Sequence, residues 1–180
     1  MSDNERNAGR VDTVFLERES KRFALLTIDF PPVNAGSQAM RQALGEAIRA
    51  LDPNRLDGVI LRGAGDNFVG GADIREFDAA PQGPHLPEVI AALEQLPVPV
   101  VAAIDGAALG GGYEIALGCD ARVATPGAIV GLPEVTLGLI PGAGGTLRLP
   151  RIVGLAKAIE LITSGHRLKA GEALELGMVD

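Results

Sequence analysis

Three observations predict an α/β fold for this chain. Short apolar runs, of which Val98–Ile104 is the clearest, read as buried strands. Apolar residues spaced three and four apart, as in Met40, Leu44, Ala47, Ile48 and Leu51, read as a helix with one buried face. Glycine-rich turns, above all Gly110-Gly111-Gly112, join strands to helices. A length of 180 residues with 47% hydrophobic content suits one domain with a sizeable core.

Taken in order, residues 1–10 are polar, mixed in charge and expected to form a disordered tail, leaving 11–180 as the folded core. Val11–Leu16 and Phe23–Phe30 read as a hairpin joined across Glu17–Arg22. Pro31-Pro32-Val33-Asn34 turns the chain, and Ser37 is placed to cap the helix that carries Met40 and Leu44. Asp52-Pro53-Asn54 ends that helix. Gly58–Leu61, running on to Arg62, is a short strand, followed by a small-residue loop from Gly63 to Asp73. Asp73 could cap a short helix over Ile74–Phe77, and Ala79–Pro87 is a Pro/Gly-rich loop before a helix over Pro87–Leu96. Beyond Cys119, Ala121–Thr125 and Ala128–Val130 read as strands, and Gly144–Arg151, Leu155–Ser164 and Ala170–Leu176 as helices. Two short ββα-like units are visible, without a sequence repeat.

Composition removes several classes of function. The net charge of −7 leaves no basic surplus to displace counterions, which argues against a nucleic-acid partner. Asp105 and the glycines interrupt the richest apolar stretch, so no membrane span is expected, and the N-terminus lacks a signal-peptide apolar core. Cys119 is the single cysteine, in an apolar context that favours packing over chemistry; a reducing, cytoplasmic setting is expected. His85 and His166 stand far apart and form no metal cluster, and no dinucleotide or P-loop glycine pattern occurs.

The candidate chemistry lies where strand turns into helix at Gly110-Gly111-Gly112-Tyr113-Glu114. Glycines allow a ligand close to the backbone, and a helix start presents unpaired N–H donors able to hold an oxygen that gains negative charge. Glu114 puts a carboxylate beside those donors. The same residues also fit a plain packing turn with a glutamate that complements the helix dipole.

Four ordered segments carry a specific resemblance: Gly71-Ala72-Asp73-Ile74, Ala108–Glu114, Gly131–Thr146 (GLPEVTLGLIPGAGGT) and Arg148–Gly154. Together they resemble the crotonase (enoyl-CoA hydratase/isomerase) family, over about Val11 to Asp180. Pro32-Val33-Asn34 and Leu161–Gly165 look most like the N-terminal hydratase part of bifunctional fatty-acid oxidation enzymes. Gly70 stands where the family often has alanine, and Arg75 where it often has lysine or a polar residue.

The resemblance implies a crotonase-like fold of stacked ββα turns, acting on acyl-CoA with no cofactor beyond the coenzyme A of the substrate and no metal. It implies an oxyanion hole from the backbone N–H groups of Ala72 and Gly111. Glu114 and Glu134 would be the paired acid/base carboxylates, with Pro133 helping to aim Glu134, and Ala72, Asp73, Ile74, Arg75 and Gly111 would bind CoA. Family members usually continue past the position of Asp180 with helices that cover the pocket, so the expected chain lacks that C-terminal helical part. The expected assembly is a homo-oligomer (trimer or hexamer) or a fusion to a dehydrogenase domain. The expected activity is hydration of 2-enoyl-CoA. The alternatives are Δ3-Δ2-enoyl-CoA isomerisation and a non-catalytic acyl-CoA-binding fragment.

Overall fold

A computed structural model of the chain describes residues 9–76, 80 and 82–180. The tail expectation for residues 1–8, and the helix and loop expectations at Phe77, Ala79 and Pro81, lie outside the described residues. The first strand starts at Arg10, inside the span expected to be disordered, because that residue already pairs with Asp29 across the hairpin.

Strands β1 (Arg10–Arg18) and β2 (Lys21–Asp29) pair antiparallel. They extend through the polar residues expected to link them, leaving only Glu19 and Ser20, both at positive φ, as a two-residue hairpin turn. Helix α1 (Gln38–Arg49) is capped as expected: the Ser37 hydroxyl accepts from the Met40 N–H at 3.3 Å. Its buried face presents Met40, Leu44 and Ile48, each worth about 1.5–3 kcal/mol when withdrawn from water.

The chain then winds through three β-β-α turns. The first comprises β3 (Gly58–Gly63), β4 (Asn67–Val69) and α2 (Leu86–Glu94). The second comprises β5 (Val100–Ile104), β6 (Ala107–Leu109) and α3 (Gly111–Leu117). The third comprises β7 (Ala121–Ala124), β8 (Ile129–Gly131) and, after a 3-10 turn over Glu134–Leu137, α4 (Gly145–Val153). Helix α5 (Leu155–Ser164), strand β9 (Arg167–Lys169) and helix α6 (Ala170–Glu175) complete the described fold.

Each winding sends its first strand to one sheet and its second to another. The sheet orders are β1-β2-β3-β5-β7 and β4-β6-β8-β9. All neighbours are parallel except the β1–β2 and β8–β9 pairs. Corners between sheets are sharp. A methyl group added at Gly63 would collide with the Asn67 carbonyl oxygen, and one at Gly106 (φ +61) with that of Asp66. Asn34, buried and at φ +53, ties the first corner to the end of β2. Its Oδ1 accepts from the Phe30 N–H at 2.7 Å, and its Nδ2 donates to the Ala64 and Asn67 carbonyls at 2.9 and 2.8 Å.

Between the sheets and helices lies an aliphatic core with Phe68 and Tyr113 as its largest fully buried side chains; the Tyr113 hydroxyl donates to the Met178 carbonyl at 2.9 Å. Cys119 is 5% exposed, and burial pushes its thiol up to about 12, as befits a packing residue. Among the described residues no helix is long and apolar enough to cross a membrane.

Candidate active site

Strands β4, β6 and β8 are parallel neighbours, spaced about 4.8 Å apart, so their C-terminal ends share one rim. In α/β sheets that rim is where ligands collect. Three loops leave it side by side: Gly70-Gly71-Ala72, Gly110-Gly111 and Leu132-Pro133-Glu134. The first is tied down by Gly70 N–H to Val33 O (2.9 Å) and Gly36 N–H to Gly71 O (2.7 Å). A methyl group at Gly70 would stand 3.0 Å from the Val33 oxygen, which explains glycine there. Gly71 (φ +126) and Gly110 (φ +52) occupy backbone regions that side chains disfavour. Ala72 and Gly111 both line the cavity at the rim, and among the described residues neither N–H donates to a protein acceptor.

Glu114 projects from α3 and is 2% exposed. Its Oε1 accepts two amide bonds from the Pro141–Gly145 turn, Ala143 N–H at 2.7 Å and Gly145 N–H at 2.8 Å. A methyl group at Gly145 would lie 3.1 Å from that oxygen, so glycine keeps the donor within reach. Burial pushes the carboxyl above its ordinary value, while the two N–H groups and the charge of Arg148 pull it back.

Glu134 opens the 3-10 turn behind Pro133 (φ −86). Both its carboxylate oxygens are buried, and among the described residues neither has a hydrogen-bond partner. Burial, reinforced by the negative charge of Glu114, raises it from 4.5 to about 7. Its Oε1 lies 3.3 Å from where a Cβ on Gly110 would sit, beside the second loop. One carboxyl is therefore fed by donors that favour the anion. The other has no donor from a neighbouring loop, and burial outweighs the weak pull of its own N–H, holding it about half protonated near pH 7.

Both carboxyls line one cavity of about 380 Å³ with Ala72, Gly111, Ile74 and Ala143. The residues expected to bind CoA separate on inspection. Ala72, Ile74 and Gly111 face this cavity, whereas Asp73 faces an adjoining one of about 500 Å³ with Arg41 and His85. The Asp73 carboxylate is occupied by Arg75, which donates from Nε at 2.8 Å and Nη2 at 2.7 Å and holds the acid below the ordinary carboxylate range. Asp73 also accepts from the Arg75 N–H at 3.1 Å, capping a 3-10 turn over Ile74–Glu76. Arg75 itself is largely exposed and lines neither cavity. His85 and His166 are exposed, and among the described residues no cluster of His, Cys, Asp and Glu could hold a metal ion.

Residues 18–180 match the family model described as enoyl-CoA hydratase/isomerase. The chain belongs to the enoyl-CoA hydratase/isomerase family. It is 51% identical over 165 residues to the peroxisomal bifunctional enzyme of Danio rerio, covering 91% of this chain but 23% of that protein. A crystal structure of enoyl-CoA hydratase from Bacillus anthracis superposes with a TM-score of 0.85 at 37% identity, covering 94% of this chain and 68% of that one. Enoyl-CoA hydratase from Thermoplasma volcanium GSS1 gives 0.84 at 29% identity, covering 99% and 73%. The chain thus spans under a quarter of the length of the peroxisomal relative. The fold is the crotonase fold of these hydratases, as the resemblance implied.

Within this enoyl-CoA hydratase/isomerase chain, sequence reasoning missed the partners of Glu114. Ala143 and Gly145 lie 29 and 31 residues downstream, and only the glycine-rich spelling of Pro141–Gly145 marked the turn as one of close approach. Arg148, whose charge acts on Glu114, opened one of the resembling segments, but nothing in the sequence tied it to Glu114.

Proposed function

We propose that this chain adds water across the double bond of 2-enoyl-CoA thioesters, giving 3-hydroxyacyl-CoA. The observation that carries the reading is the contrast between two carboxyls in one cavity: Glu114 held by two N–H donors, and half-buried Glu134 whose buried oxygens have no such partners. Environments that drive two acids apart divide the work of base and acid.

Glu114 takes a proton from water as the water oxygen bonds to the β-carbon. Electron density moves onto the thioester oxygen, where the free N–H groups of Ala72 and Gly111 are available to hold it. Glu134 then delivers its proton to the α-carbon. A proton passing back from Glu114 to Glu134 restores the starting state, so the net addition is one hydrogen and one hydroxyl. No cofactor enters this scheme. Ile74, Leu86, Leu109, Leu137, Leu139 and Ile140 give the cavity the apolar lining an acyl thioester requires. Moving a double bond needs only one carboxylate to carry the proton, so the presence of two supports hydration over isomerisation.

The test is loss of enoyl-thioester absorbance with crotonyl-CoA, set beside turnover of a 3-enoyl-CoA. Glu114→Gln and Glu134→Gln should each lower hydration by about 10²–10⁴-fold while the chain stays folded. Parent-like hydration in both variants would remove the assigned roles. Acyl-CoA binding by the parent without turnover would favour a non-catalytic role.

A further inference from the structure

The turn that supplies both donors to Glu114 is gripped from behind. Arg148, on α4, donates from Nη1 to the Ala143 carbonyl at 2.8 Å. Its Nε and Nη2 reach both oxygens of Glu94, at the end of α2, at 2.7 and 2.8 Å. A fork of this kind fixes the guanidinium plane as well as its position. Gly144 lies directly beneath it: at φ +99, a methyl group there would collide with Arg148 Nη1.

The chemistry of three consecutive peptides follows. The 142–143 and 144–145 units turn their N–H groups to Glu114 Oε1, while the 143–144 unit between them turns its carbonyl to Arg148. Pinning the middle plane sets the tilt of its two neighbours. We propose that Arg148, steadied by Glu94, is a positioning residue that aims the Ala143 and Gly145 amides at the carboxylate of Glu114. The kinetic part of this inference rests on the hydration reading; the structural part does not. A mere staple between α2 and α4 would affect stability and act on Glu114 only through its charge, so a lysine in its place would leave both the ionisation of Glu114 and kcat where they were.

The charged groups around Glu114 are Glu134 and Arg167, which line the same cavity, and Arg148, itself paired with Glu94. Two readouts therefore separate the possibilities: crotonyl-CoA kinetics, and a titration of glutamate side-chain carboxyls by carbon-13 NMR with Glu114→Gln assigning the resonance. Arg148→Met removes the charge and the bond to Ala143. It should lower kcat about 10–100-fold, with KM changed less than about threefold, because the aimed carboxylate acts in the transition state. The Glu114 midpoint should rise by about one pH unit, since lost donors and a lost cation both favour the neutral acid. Arg148→Lys keeps the cation but cannot fork, and should restore part of the midpoint while kcat stays low. Glu94→Gln, which retains the arginine, gives an intermediate loss and serves if Arg148→Met does not fold.

A Glu114 midpoint unchanged in Arg148→Met, or in Glu94→Gln if that variant must serve, overturns the inference and leaves a staple; parent-like midpoint and kcat in Arg148→Lys overturn it too and leave only a distant charge. If the parent chain does not hydrate crotonyl-CoA, the hydration reading fails, while the titration still decides what Arg148 does.

Discussion

Replacing Glu134 with glutamine should make the protein more resistant to unfolding, and only on the alkaline side. In the unfolded chain this carboxyl ionises near its ordinary 4.5; in the folded chain it does so near 7. Between those values the folded state binds the extra proton, so its stability falls as pH rises from about 4.5 to about 7 and is level above. The full shift corresponds to about 3 kcal/mol at about 1.4 kcal/mol per pH unit. The side chain borders an open cavity where water screens part of that, leaving ~1–2 kcal/mol. Glutamine cannot ionise and so escapes the penalty. Its amide, buried without partners as the carboxyl is, costs the same at every pH.

The assay is urea unfolding of parent and Glu134→Gln at about pH 5 and about pH 8, with the difference between proteins compared across pH. The expected result is a difference that moves in favour of glutamine by ~1–2 kcal/mol on going to the higher pH. A difference that stays constant, or moves toward the parent, refutes the claim that Glu134 is buried without donors.

Other outcomes follow from the same geometry. With Glu134 as proton donor, the hydration rate should decline as pH rises through about 7, and a pH–rate profile of crotonyl-CoA turnover checks this. Asn34→Ala removes three bonds at a buried corner and should cost about 2–4 kcal/mol in urea unfolding, with a loss under ~1 kcal/mol refuting its role as a tie. Gly112→Ala would drive a methyl group into the Val69 carbonyl where α3 meets β4, and should lower stability by about 1–3 kcal/mol in the same assay.

The longer elements were legible because their signals are local. The α1 face of Met40, Leu44 and Ile48 and its Ser37 cap follow from spacing alone, and α5 runs over the residues expected, Leu155–Ser164. Strands β4, β6 and β9 were not legible. Each is three residues long, too short to show a period of two, and β4 and β6 lie among glycines that read as turn. What defines them is the neighbour strand, which sequence order does not reveal. The site divides in the same way. Glu114 and the turn at Gly111 were marked by their own residues, Glu134 and Ala72 by resemblance, and the structure brings all four to one cavity. The environment that distinguishes the two acids comes from Ala143, Gly145 and Arg148, whose approach depends on how α4 settles against α3.

The winding itself has a consequence for how this pocket can change. Ala72, Gly111 and Glu134 each sit just past the end of a rung in the same ladder, one rung per coil of the spiral. A substitution at position 134 rewrites the third rung's contribution and leaves the amides of the first two where they were. On the proposed reading, such a scaffold trades one reaction for another by altering a single coil, while the two amides offered to a thioester oxygen pass through unaltered.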